Sequence, residues 1–329
     1  MKISKSFVLK GGAAAQTYLP LKQQRASVDI DLITSLKPNE IKEIFMNQIN
    51  KLDFATVKIH KPKKFKDKLP LITYLIDLPS ITKEEETIQL KVDILFEEIE
   101  SYKVEEIKNK ELFALKIENK IPCIKLGSLV ADKLLTLASK SIGIDESRQE
   151  QLPKHVYDLI RLMDLMKIED FNDLLFSFEK ISKAEMRFRG ISHELPGVIE
   201  HIKEILIEFA KVDIEDKKFK KLITDFQSAY VNRESRKSLQ EWAIDCLKLN
   251  YLVKVIKDVL VDKKDNNERY NKFVEFKKEF EDIVKMSVDD KKSLRENLLK
   301  EANEKLKYWK FLKGKSEERI FLELKQLDW

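Results

Sequence analysis

The sequence predicts an α+β unit followed by an all-helical one, and three observations carry that prediction. β-type runs crowd the first third of the chain. Beyond about residue 127, apolar residues instead recur at three and four positions. A diglycine, Gly11 and Gly12, marks a junction between the first β-type run and a helix-competent segment. The expected division is 1–168 and 169–329, with the change of character spread over 165–215.

The β-type runs are Phe7–Lys10, Ser27–Thr34, Phe54–His60, Leu71–Leu78, Thr87–Glu97 and Phe113–Ile117, with a helix expected near Pro38–Ile49. GSLVADKLLTLASK then spaces Val130, Leu134 and Leu137 as a helix would, and LPKHVYDLIRLMDLM follows Pro153, a residue suited to opening a helix. From 169 onward, FNDLLFSFEKI, LKLNYLVKVIKDVL and KFVEFKKEFEDIV read as amphipathic helices packed on one another. ISHELPG (191–197) and VDKKDNNERYN (261–271) read as loops.

The composition excludes several classes. Of 329 residues, 43% are hydrophobic and only 7 are Gly and 8 Pro, so collagen-like and disordered chains are ruled out. The 62 basic residues against 57 acidic leave a net +5, too mild by itself to argue for nucleic acid. Cys123 and Cys246 stand far apart and outside metal-ligand spacing, which fits a reducing cytoplasm better than a disulfide framework. No stretch approaches the roughly 18–20 apolar residues of a membrane span.

Chemistry concentrates in residues 7–34. Asp29 and Asp31 are two apart in a β-type run, so both carboxylates point to one face. Carboxylates that close repel one another unless a cation lies between them, and a small cation that also carries phosphates suits the site. Gly11 and Gly12 let N–H groups at a helix N-terminus approach an anion. A metal-bound phosphate is the ligand this pattern fits. Asp93 in TIQLKVDILFEE is a candidate third acid, because an Asp within an apolar run needs a partner; the plain alternative is an edge residue facing water. Arg25 could offset phosphate charge, and Ser27 could bond a phosphate oxygen or shape the turn. Lys133 in LVADKLLTLA and Asp158 in KHVYDLIRL either face solvent or present a cation and a carboxylate to the strands.

The ordered set KGG, RxSxDIDL, a third-strand acid, ADKL and a YDL helix resembles the AbiEii/AbiGii (MenT-like) nucleotidyltransferase toxins, within the DNA polymerase β-type superfamily, over roughly residues 5–170. By that resemblance 1–168 is the nucleotidyltransferase domain, a small mixed sheet with flanking helices. Gly11 and Gly12 match the phosphate-binding turn, with Arg25 and Ser27 beside it. Asp29 and Asp31 match the metal-binding DxD, with Asp93 as a further ligand. Lys133 matches the phosphate-contacting lysine and Asp158 the acid of the closing motif. Lys154 and His155 depart from it, because relatives commonly have Arg-Asp there; the change loses a guanidinium fork and an acid.

The resemblance further implies two Mg²⁺ ions, an NTP substrate, a tRNA 3′ end as acceptor and a cognate antitoxin, in a toxin–antitoxin or phage-abortive-infection system. The runs at 60–68, 183–190 and 307–315 mix Lys or Arg with aromatic residues, as RNA contacts do, and as solvated or packed helical segments also do. Transfer to a protein or small-molecule hydroxyl, and an impaired NTP-binding module, are the competing readings.

Overall fold

The computed structural model describes residues 6–49, 56–60, 70–80, 86–108, 110–112, 115–118, 120–192, 194–213, 217–307 and 309–328. Val8–Lys10 (β1) runs straight into Gly11–Tyr18 (α1), and Asp29–Thr34 (β2) returns antiparallel beside β1. Pro38–Ile49 (α2) precedes Thr56–His60 (β3), Leu71–Pro79 (β4) and Thr87–Phe96 (β5). Val104–Ile107 (β6), Lys110–Leu112 (β7), Leu115–Ile117 (β8) and Ile121–Ile124 (β9) complete the strands. Seven of them form a mixed sheet in the order β3-β4-β5-β2-β1-β9-β6, with β2 parallel to β5 and β1 parallel to β9.

Strand alternation decides what faces the site. Val92 and Ile94 of β5 bury with Tyr74 of β4 and Ile41 of α2, so α2 covers one face of the sheet. Lys91 and Asp93 alternate with them and point to the other face, as do Asp29 and Asp31 on β2.

Leu126–Thr136 (α3) and Leu152–Met163 (α4) pack on each other and on α1. Ile168–Arg189 (α5) packs tightly on α3 at Gly127, where a Cβ would sit 2.0 Å from the Asp170 carbonyl oxygen. Leu195–Ala210 (α6) and Lys217–Tyr230 (α7) follow. Leu239–Leu260 (α8) is the axis of the helical part, its Trp242 fully buried among Tyr157, Phe209 and Phe226. Those rings tie α4, α6, α7 and α8 together. Asn266–Lys285 (α9), Val288–Lys305 (α10), Trp309–Leu312 (α11) and Glu317–Lys325 (α12) close the chain.

The α+β part followed by an all-helical part is the expected architecture, and one apolar core runs through both, from Val8 to Leu324. Three local readings change. The expected loop at 261–271 ends at Asp265, whose carboxylate accepts from the Glu268 N–H at 2.8 Å and caps α9, so 266–271 are helical. The loop at 191–197 likewise ends early, with Leu195, Pro196 and Gly197 already in α6. β6, β7 and β9 lie where no strand was expected. Phe54, Phe113 and the Lys run at 61–68 fall outside the described residues.

Candidate active site

The β1–α1 junction is built around Gly11, which has φ +68°, a value that suits glycine. A Cβ on Gly11 would lie 1.8 Å from Asp31 Oδ2, and one on Gly12 would lie 2.5 Å from Ser27 Oγ. The diglycine therefore serves a close approach. It lets the start of α1 sit directly on the carboxylate of β2 and on the loop that leads into it.

Register does the rest. Asp31 pairs with Lys10 on one side and with Asp93 on the other, and Asp29 pairs with Lys91. Burial pushes the Asp31 carboxyl up, and the charge of Asp93 adds to that, while Lys10, Lys154 and Lys133 pull it down. Asp93 is already engaged. Its Oδ1 accepts from Thr73 Oγ1 at 2.5 Å and its Oδ2 from Lys91 Nζ at 2.6 Å. Burial works against the Lys91 charge, but Asp93, Asp29 and Asp31 outweigh it and push its pKa up.

These groups line a cleft of about 550 Å³, shared by Gly11, Gly12, Arg25, Ser27, Asp29, Asp31, Lys91 and Asp93. Its opposite wall comes from the helical side: Arg148, Lys154 and His155 around the start of α4, and Leu222, Asp225, Phe226 and Tyr230 of α7. Tyr230 is 39% exposed and stacks on Phe226 with centroids 5.9 Å apart. The Tyr230 carbonyl accepts from the Ala26 N–H at 2.9 Å, which pins α7 to the loop before β2. A second cavity of about 310 Å³ meets the first at Gly11, Asp31 and His155 and extends past Lys10, Asp132, Glu185 and Arg189. Lys10 Nζ donates there to Asp132 Oδ1 at 2.7 Å.

Lys133 and Asp158 do not reach the cleft wall as free groups. Both side chains are 1% exposed, and Lys133 Nζ donates to Asp158 Oδ2 at 2.7 Å. Arg25 Nε and Nη2 donate to the same carboxylate at 2.9 and 2.8 Å, a bidentate fork. Burial would raise the Asp158 carboxyl, but Arg25 and Lys133 outweigh it and hold it below its ordinary value. The simple expectation that Lys133 and Asp158 each face solvent fails, since they neutralise one another inside the protein. Lys154 lines the cleft in a half-buried position; burial and Arg25 lower its pKa, while Asp31 and Asp29 oppose that shift. His155 is held well below its usual pKa by burial and by Lys133, Lys154, Arg25 and Lys10, so it is neutral. Its buried Nδ1 has no hydrogen-bond partner among the described residues. Ser27 Oγ reaches the Asp29 carbonyl at 3.3 Å, a turn-shaping contact.

Asp29 and Asp31 bring negative charge to the cleft beside the β1–α1 junction, and burial, with Asp93, pushes the Asp31 carboxyl up against the opposing pull of Lys10, Lys154 and Lys133. Among the described residues, no group of three or more His, Cys, Asp or Glu side chains stands in ligating geometry, and Asp93 is held by Thr73 and Lys91. Asp29 and Asp31 share one face of the sheet and both line the cleft.

The family model for the AbiEii nucleotidyl transferase toxin of type IV toxin–antitoxin systems matches residues 2–245. The chain belongs to this family. Nucleotidyltransferases of this family generally use an NTP and a divalent metal ion, and membership of a type IV toxin–antitoxin family implies an antitoxin partner. Among solved structures it is similar to MenT4, a nucleotidyltransferase toxin from Mycobacterium tuberculosis, at 11% identity and a TM-score of 0.35, covering 72% of this chain and 84% of that one. That superposition is too loose to transfer any residue. No curated protein matches the chain in sequence. No helix among the described residues is long and apolar enough to cross a membrane.

The sequence reading missed Lys10, Lys91, Arg148 and the α7 wall. Lys91 was within reach, since it lies two residues before Asp93 and so shares its face. The α7 wall lies nearly 200 residues from the DxD in sequence, with no motif of its own.

Proposed function

We propose that the toxin moves a nucleoside monophosphate from an NTP to the 3′ end of a tRNA in a Mg²⁺-dependent reaction, which stops translation. The observation that carries this reading is the packing of the diglycine start of α1 directly onto Asp31 in a cleft that also holds Asp29. In the reaction the acceptor hydroxyl oxygen bonds to the α-phosphorus. The bond from that phosphorus to its bridging oxygen breaks, and pyrophosphate leaves with the electron pair. The hydroxyl proton passes to water.

Asp29 and Asp31 would hold Mg²⁺, and Asp93 would join them as a ligand of a second ion on release from Lys91. Bound there, the metal supplies charge to the triphosphate and makes the attacking hydroxyl more acidic. The remaining work belongs to the chain. Backbone N–H groups at Gly11 and Gly12 cradle a phosphate. Lys154 and Arg148 line the same cleft and offset charge on the leaving pyrophosphate. Lys133 acts through Asp158, which fixes Arg25 under Gly12. Tyr230 offers an exposed ring on which a base can stack. A tRNA acceptor puts the toxin in the cytoplasm beside its antitoxin, and blocking translation in an infected cell would serve phage defence.

Of the three basic and aromatic runs, 307–315 lends the RNA reading least support. Trp309 and Phe311 pack against the core, with Lys313 and Lys315 over their rings at 4.5 and 4.8 Å. Tyr308 lies outside the described residues.

Incubation with labelled NTPs, Mg²⁺ and total tRNA tests the acceptor. Label at the RNA 3′ end is the expected result. Label on protein or on a small hydroxyl compound would replace tRNA with that acceptor. Absence of transfer with NTP binding intact would reduce the site to a binding module.

A further inference from the structure

The cavity of about 310 Å³ joins the catalytic cleft at Gly11, Asp31 and His155, so Asp31 stands where the two spaces meet. Its other walls are its own: Leu135 and Thr136 of α3, Ile142 in the loop that follows, and Ile181, Glu185 and Arg189 of α5. The volume lies at the small end of ligand sites, which run roughly 300–1,000 Å³. Gly12 and Lys154, assigned to the triphosphate, line the cleft and not this space.

The bonding capacity left open in its wall is of one kind. Lys10 Nζ donates to Asp132 Oδ1 at 2.7 Å, and Arg189 Nε donates to Glu185 Oε2 at 3.2 Å. Each of these cations is thus matched by an acid of the same wall. Each acid keeps a second oxygen, Asp132 Oδ2 and Glu185 Oε1, that has no hydrogen bond among the described residues and is not sealed from solvent. Asp31 adds a third carboxylate at the junction. An ionised carboxylate only accepts, so a phosphate brings it no donor and adds like charge. Hydroxyl groups match such a wall.

In-line transfer puts the attacking and leaving oxygens on opposite sides of the phosphorus. With the triphosphate in the cleft, the attacking hydroxyl has to arrive from a space that opens on Asp31 without holding the triphosphate, as this cavity does. We propose that the cavity seats the terminal nucleoside of the acceptor RNA, its 2′-hydroxyl donating to Glu185 and its 3′-hydroxyl turned to Asp31. Leu135, Ile142 and Ile181 give its carbon atoms an apolar wall. The inference rests on the tRNA 3′-end reading and adds a requirement to it, a free ribose cis-diol. The bonds made and broken in transfer stay the same.

The probe is a short single-stranded RNA labelled at its 5′ end, titrated with the full chain in EDTA without NTP and read by fluorescence anisotropy. Two versions differ only in the last sugar, ribose against 2′-deoxyribose. The ribose end is expected to bind about tenfold more tightly, the worth of one charge-assisted hydrogen bond. Glu185→Gln changes charge without changing size; it should cut that preference to about threefold or less while NTP affinity with Mg²⁺ holds. Equal binding of the two ends by the wild type would overturn the proposal. So would an undiminished preference in Glu185→Gln, or a loss of NTP affinity as large as the loss for RNA. Transfer is not scored, so the two readings fail separately. Equal binding of the ends beside labelled tRNA would count against the cavity alone, and a ribose preference beside label on protein against the tRNA acceptor alone.

Discussion

Two clusters of the same residue types lie on either side of Arg25, and they are built to opposite ends. In the inner cluster Asp158 accepts from Arg25 and from Lys133, all three side chains are at most 7% exposed, and every charge has a partner. In the outer one Asp29 and Asp31 share a face with Asp93 beside a diglycine, and burial, helped by Asp93, drives the Asp31 carboxyl up despite Lys10, Lys154 and Lys133. The inner acid is buried in ion pairs, and the outer pair lines the cleft. The difference follows from the elements that carry them: a helix wedged in the core encloses its carboxylate, and strand alternation leaves every second residue on the open face.

The largest expected effect comes from breaking the inner cluster. Asp158→Asn leaves Arg25 and Lys133 buried without a carboxylate, and chemical denaturation should show a loss of about 3–5 kcal/mol. Because the folded-state pKa of Asp158 is depressed below its ordinary 3.8, its contribution is present above that pH. The gap between wild type and variant should therefore close as pH falls below about 4.

Glu97 sharpens the comparison, since it is buried like Asp158 but poorly partnered. Only its Oε2 is bonded, to Tyr102 Oη at 3.0 Å, and its Oε1 has no partner. Burial raises its pKa from 4.5 to about 7. A raised carboxyl loses folded stability as pH climbs from the unfolded value through the folded one. Glu97→Gln should then stabilise the protein at pH 8 by up to ~3 kcal/mol and make little difference at pH 4. Equal melting temperatures at pH 8 would show that burial alone does not govern these acids.

Gly11→Ala tests the outer pair without touching a charge. The side chain would meet Asp31 at a backbone angle costing about 1–2 kcal/mol, and transfer should fall on the order of 10²-fold while the fold persists. The smallest effect is expected at the lip of the cleft. Tyr230→Ala should raise KM for the NTP or the RNA about tenfold with kcat little changed, and Tyr230→Trp should restore it.

Much of the outer cluster was legible in the sequence, because its information is local. Glycines at a strand end and acids two apart in a β-type run announce themselves within 25 residues. The inner cluster was named residue by residue, yet its pairing was hidden: Arg25 and Asp158 are 133 positions apart, and nothing in the sequence says that a lone lysine in a helix meets them. β6 and β9 were missed because each is four residues long and β9 contains Pro122, which argues against a strand. The start of α9 was missed because its cap, Asp265, sits among equally polar neighbours.

The central claim is that Asp29 and Asp31 serve catalysis and not the fold. Asp29→Asn with Asp31→Asn, assayed for transfer from labelled NTP and for growth arrest in a bacterial host, tests it directly. The account predicts that transfer falls at least ~10³-fold, that growth recovers, and that the melting temperature holds or rises as the buried Asp31 charge beside Asp93 is removed. A double variant that folds normally and still slows growth as the wild type does would contradict it.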